Sequence, residues 1–329
     1  MISFPWPSIS AISLDAIGLV ILADITAVAE RTVLRGASIH DVAVLCPGLH
    51  RQLEASRFNA GEFPACAAMT TGYVFRVENP ATVAYLQRIG RTGHLTTLTV
   101  SSTTRQPSRG DASSVSQIIA TVSYSAATAL TVTVTAALIR MQDWWAVSVV
   151  LILCAVRLIN MTIIQRLTKS GWHGANESGQ SSDLLVLLSY DRWIRIQGMT
   201  DDVKAVTSGR WLRDPLALEG SFTAFATLLT YVDAALAVNA SHNGKLLLLL
   251  LFLGSAALVG LANLFTNSIT MNGRTIEARV GHKAYKRRRD LAEEMIAYHG
   301  RDDWAVAMGM VVPKDDPRPS PIHKGPAIM

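Results

Sequence analysis

Charge is scarce in this sequence: Asp, Glu, Lys and Arg make up 17% of its 329 residues, against about 25% in an ordinary soluble domain. That deficit argues against a freely soluble chain, and a hydrophobic share of 50% argues against a disordered one. Cysteine is scarce too. Cys46, Cys66 and Cys154 show no CxxC or Cys/His spacing, which excludes a disulfide framework and a cysteine-based zinc site. Catalytic signatures are missing: there is no HExxH, GxSxG or P-loop, and no GxGxxG between a strand and a helix. The histidines are scattered, and His40 and His50 have no acidic or cysteine partner at ligand spacing. No catalytic set, cofactor or metal site is therefore expected.

What the sequence does have is long apolar blocks. Residues 115–139 carry no charge, 143–163 carry Arg157 with Asp143 at the edge, 221–241 carry only Asp233, and 245–266 carry only Lys245 at the edge. Each is close to the roughly 20 residues that cross about 30 Å of hydrocarbon. None of the twelve prolines falls inside them. Backbone groups in lipid must pair internally, so each block reads as a spanning helix. Residues 9–29 are a fifth candidate, burdened by Asp15 and Asp24; an acid costs up to ~3 kcal/mol at a helix centre. An interfacial amphipathic helix is the alternative there. A cleaved signal peptide fits less well, because MISFPWPS has no Lys or Arg. The fold class that follows is mainly α: a polytopic transmembrane helical bundle with a small mixed α/β juxtamembrane subdomain.

Positive charge sets the expected orientation. The hairpin between blocks 115–139 and 143–163 and that between 221–241 and 245–266 offer only Arg140 and Lys245. Residues 30–114 hold nine Lys/Arg, residues 164–220 hold seven and residues 267–329 hold eleven. The positive-inside rule places those three segments in the cytoplasm, at a plasma membrane or an endomembrane. Of the sequons, Asn239-Ala-Ser241 falls at an external hairpin, while Asn160 and Asn176 stay bare on this topology.

The polar segments carry their own patterns. Alternation in GYVFRVE (72–78) and HLTTLTVSS (94–102) predicts strands. LLVLLSYDRWIRIQG (184–198) reads as a strand, with an interfacial helix as the alternative. Thr200-Asp201-Asp202 supplies cap-type oxygens and acids for a short helix that Gly209 can close. Within 267–312, Asn272-Gly273 between alternating runs predicts a hairpin, and DLAEEMIAYHG (290–300) an amphipathic helix ending at Gly300. Strands from all three segments are expected to meet in one subdomain. The tail 313–329 is Pro-rich and expected to be disordered.

Ionisable residues inside apolar blocks are the default functional candidates. Asp24 and Arg157 fall at similar depths and can pair; alternatively Arg157 snorkels to the headgroups. Asp233 lies nearer the midplane and cannot snorkel; a protonated acid bonded to Thr128 or Thr131 is the cheapest state expected. The hydroxyl-rich block from Thr121 to Thr135 suits close helix packing better than a pore. The basic run of Lys283, Lys286, Arg287, Arg288 and Arg289 suits anionic lipid headgroups or a solvated helix face. A nucleic-acid reading of that run is set aside in a multispan chain.

Two stretches, SYDRWIRIQGMTDDVKAVTSGRWLRD (189–214) and AYKRRRDLAEEMIAYHGRDDWAVAMGM (284–310), resemble a group of multispan integral membrane proteins of filamentous fungi. The similarity covers about residues 115–310. It implies a multispan architecture in a eukaryotic compartment and assigns no activity, ligand or site. Three functions stay open: a scaffold or accessory membrane protein, a small transporter using Asp233, Asp24 and Arg157, or a lipid-modifying membrane enzyme. A protein partner or homo-oligomer stays open as well.

Overall fold

The computed structural model describes residues 14–52, 58–102, 111–168, 174–177 and 179–312. Residues 9–13 of the fifth candidate block and the tail 313–329 lie outside them. In chain order, short helices α1 (Ile17–Ile21) and α2 (Ala27–Arg35) lead to β1 (Ala65–Ala68), β2 (Val74–Arg76), α3 (Pro80–Ile89) and β3 (His94–Ser102). Two long helices follow, α4 (Asp111–Arg140) and α5 (Trp144–Leu167). The hairpin β4 (Ser181–Leu188) and β5 (Arg192–Met199) continues into α6 (Thr200–Thr207). A second long pair, α7 (Ala217–Leu236) and α8 (His242–Leu264), precedes β6 (Ser268–Met271), β7 (Arg274–Ala284), α9 (Arg288–His299) and α10 (Asp303–Ala307).

Four helices are long and apolar enough to cross a membrane: Val115–Arg140, Trp144–Leu167, Ala217–Asn239 and His242–Leu264. They coincide with the four apolar blocks apart from shifts of a few residues at the ends. Most α4 threonines, among them Thr121, Thr131, Thr133 and Thr135, donate their hydroxyls to carbonyls one turn back, so they add no unsatisfied polar group to an apolar helix. The two tight connections are tied to each other. Asp143 caps α5 by accepting from Ala146 N at 3.1 Å, and also accepts from Ser241 N at 2.9 Å and Ser241 Oγ at 2.6 Å. Ser241 in turn caps α8. Strand β3 precedes α4, β4 follows α5 and β6 follows α8, at the other ends of these helices from the two tight connections.

The continuous helix expected over 9–29 is not formed. Helix covers Ile17–Ile21, opens, and restarts at Ala27. Asp15, ahead of the first turn, pairs with Lys245 at 3.0 Å, and Asp24, within the break, pairs with Arg51. The segment instead packs inside the bundle, where Ile17, Ile21, Val28, Val44, Leu45 and Leu49 join the core of the long helices. Non-helical backbone at such depth is tolerated only when protein surrounds it and satisfies its polar groups. Side chains of the long helices supply donors. Arg157 Nε reaches Asp41 O at 3.3 Å, Asn160 reaches Leu49 O at 3.0 Å, Gln165 reaches Ala37 O at 2.9 Å and Asn263 reaches Ala27 O at 2.7 Å.

Strands from all three polar segments do meet in one seven-stranded sheet, ordered β2-β1-β4-β5-β3-β7-β6. Only β3 and β5 run parallel. Alternation divides the sheet's side chains between two cores. Leu184, Val186, Ile194, Ile196, Leu98 and Val100 face α2, α3 and α6, whereas Leu185, Trp193 and Leu95 face α9 and α10. The first layer meets the bundle.

Two local expectations are corrected and a third holds. Residues 184–198 are not one strand but most of a hairpin, reversed at Tyr190 and Asp191, which take positive φ of 63° and 51°. The sequence there lacks the Gly that usually marks such a turn. At α6 the cap position is Met199, without a side-chain cap bond. Asp201 instead accepts from Glu177 N, and Asp202 pairs with Arg274. The hairpin at Asn272-Gly273 forms as expected, with φ of 49° and 68°.

Candidate functional site

The junction between sheet and bundle concentrates the polar chemistry of the fold. One side of it is a clamp. The last carbonyls of a helix lack intrahelical partners and carry the negative end of its dipole. At the end of α8, Arg88 of α3 donates to Asn263 O and to Leu264 O, the latter at 3.4 Å. Tyr85 OH donates to Asn267 O at 2.6 Å, and Arg31 of α2 donates to Thr266 Oγ1 at 3.0 Å. Asn79 and Pro80 explain why α3 starts where it does: Asn79 Oδ1 accepts from Ala81 N and Thr82 N, and proline fits the first turn.

The other side is a cleft of about 1090 Å³. Its floor is α7, which presents Gly220, Thr223, Thr227 and Tyr231; its mouth is formed by the sheet-domain residues Phe63, Arg76, Glu78 and Pro80. His50 and Arg51 close one flank, and the 210–215 segment with Leu167 closes the other. Three of its arginines are already engaged: Arg51 with Asp24, Arg210 with Asp214 at 2.5 Å, and Arg213 with Glu219 at 2.5 Å. Arg76 and Glu78 form no ion pair among the described residues. Thr223 and Thr227 donate to Glu219 O at 2.9 Å and Thr223 O at 3.1 Å, so their hydroxyl protons are engaged within α7.

The intramembrane candidates do not come together. Asp24 reaches the cleft through Arg51 and does not pair with Arg157. Arg157 is 2% exposed, so it does not snorkel. Its guanidinium serves the inserted segment, beside the Asp41 carboxylate that Tyr124 also contacts. Asp233 is 0% exposed, and neither carboxylate oxygen has a hydrogen-bond partner among the described residues. It does not bond Thr128 or Thr131, whose hydroxyls serve their own helix; α7 packs against α5 and α1 instead.

The basic run sits at the end of β7 and the start of α9, in the layer turned away from the bundle. Lys283 pairs with Glu294 at 2.6 Å, Arg288 with Asp191 at 2.5 Å and Arg289 with Glu293 at 2.6 Å. Lys286 and Arg287 are exposed and form no ion pair among the described residues.

Sequence reasoning missed one polar network altogether. Asp183, 7% exposed, accepts from Arg195 Nε at 2.9 Å and Gln197 Nε2 at 2.9 Å, and lies 3.3 Å from His299 Nε2. The hydrogen bond to Asp183 holds the Arg195 guanidinium above its usual range, whereas burial pushes His299 down. The Arg195 guanidinium also lies over the Tyr298 ring, 4.8 Å from its centre. These contacts pin the end of α9 to the sheet. Alternation of Asp183, Arg195 and Gln197 on paired strands was the available signal, and it required knowing the hairpin register. Among the described residues no group of three or more His, Cys, Asp or Glu is arranged to hold a metal. No family model, curated protein or solved structure matches this chain.

Proposed function

We propose that this chain is a non-catalytic membrane scaffold whose bundle anchors a folded sheet domain at the bilayer surface, where a partner protein can use it. The observation that carries this reading is the clamp: helix α3 of the sheet domain caps the end of α8 through Arg88 and Tyr85. A domain tethered for mobility would not need its own side chains to complete a spanning helix. Charge bias supports a cytoplasmic position for the sheet domain, with both tight turns on the other side. The exposed cations Lys286 and Arg287, in the layer away from the bundle, suit contact with an acidic partner better than with the anchoring membrane.

The competing transporter reading requires Asp233, Asp24 and Arg157 to share a path, and they sit at separate contacts. Its test is reconstitution of the purified chain in vesicles loaded with proton- and cation-sensitive dyes. The expected leak equals that of protein-free vesicles, with Asp233→Asn indistinguishable from wild type. A flux that Asp233→Asn abolishes would replace the scaffold with a transporter.

A further inference from the structure

The cleft between α7 and the sheet domain has a polarity gradient that runs along a membrane-spanning helix. Gly220 and Tyr231 both line it, and eleven residues of helix separate them by about 16 Å. Over that length the floor carries no charge, and the Thr223 and Thr227 hydroxyls are tied to backbone carbonyls. The mouth is charged. Among cleft residues whose ion pairs are described, the arginines at 51, 210 and 213 are neutralised by partners. Arg76 and Glu78 stand two residues apart at the rim, one cation and one anion, each without an ion pair among the described residues. The cleft therefore offers an uncharged trough leading to one positive and one negative charge that form no ion pair among the described residues.

We infer that this cleft binds a glycerophospholipid with a zwitterionic headgroup. The phosphate meets the Arg76 guanidinium, the headgroup ammonium meets the Glu78 carboxylate, and an acyl chain lies along α7. An anionic headgroup that lacks an amine, such as that of phosphatidylglycerol, would leave Glu78 facing a phosphate without a cation of its own, and like charges so placed repel. A diacylglycerol would leave both charges unanswered. Gly220 supports the assignment of an open trough: a Cβ at that position would meet no other atom within 4 Å, although glycine inside a helix costs about 1 kcal/mol relative to alanine. The space is kept clear at the place where a chain would leave the headgroup.

The site can be tested on the full chain in detergent micelles, titrated with fluorescently labelled phosphatidylcholine. Wild type is expected to bind one lipid per chain. Arg76→Gln removes a charge-assisted contact and is expected to weaken binding about tenfold or more. Glu78→Gln is expected to shift preference toward phosphatidylglycerol. Gly220→Leu starts from a Cβ that meets no neighbour and is expected to abolish binding; a thermal melt of the variant that matches wild type separates lost binding from misfolding. Binding unchanged in both Arg76→Gln and Gly220→Leu would overturn the proposal. So would phosphatidylglycerol binding wild type more tightly than phosphatidylcholine. Equal competition by water-soluble glycerophosphocholine would assign the site to a soluble phosphodiester and overturn the lipid as well.

Discussion

Asp143 shows how much one side chain outside the apolar helices can do. Burial pushes its carboxyl up, but the hydrogen bonds from Ser241 and from the backbone of Ala146 and Trp145 outweigh burial and hold it below the usual carboxylate range. A folded-state value below the unfolded one means stability that is present above about pH 4 and lost as pH falls through the folded value. Thermal melts of the micellar protein are expected to show that acid loss. Asp143→Asn should melt lower at pH 7 and show a shallower decline between about pH 4 and pH 2. Its three donors come from two turns, so the variant loosens both. Asp233 is the opposite case, a buried acid to which nothing donates among the described residues.

Helices α1 and α7 illustrate what a chain gains from giving up a continuous helix. At Gly18 an added Cβ would overlap the carbonyl of Ala234, so the two backbones touch only because residue 18 has no side chain. Gly18→Ala is expected to push α1 away and cost about 1–3 kcal/mol, read as a lower midpoint in denaturation of the micellar protein. The four long helices were legible in the sequence because length and apolarity alone specify them, and Asn272-Gly273 marked its hairpin directly. The break after Ile21 was not legible, since the partners met around it, such as Arg51 at Asp24, lie far away in sequence. The Asn79-Pro80 start of α3 was not read from the sequence, although both residues carry the signal. Strand β1, ACAA, is too short and too small in its side chains to announce itself. The cleft was invisible for a further reason: its lining comes from five separate stretches of chain, and only the folded register brings Arg76 and Glu78 over α7.

For the molecule as a whole, the clamp sets how the two halves move. Arg88→Ala removes a charged donor from the last carbonyls of α8, a contact of about 1.5–3 kcal/mol. Hydrogen exchange should rise over α3, β6 and the end of α8, while the 143–146 and 241–244 turns keep their protection. Unchanged exchange at α3 would mean that apolar packing alone holds the domains together. The inserted segment adds a constraint of a different kind, one of time. Residues 15–49 are made early, yet Ala27 O, Arg31 and Asp15 find their partners on Asn263, Thr266 and Lys245. A ribosome delivering this chain from its amino end therefore leaves Ala27 O, Arg31 and Asp15 without these partners until α8 arrives. Chains cut short before that helix would keep the Ala27 carbonyl and the Asp15 and Arg31 charges without them, a mark by which quality control can tell an unfinished copy from a complete one.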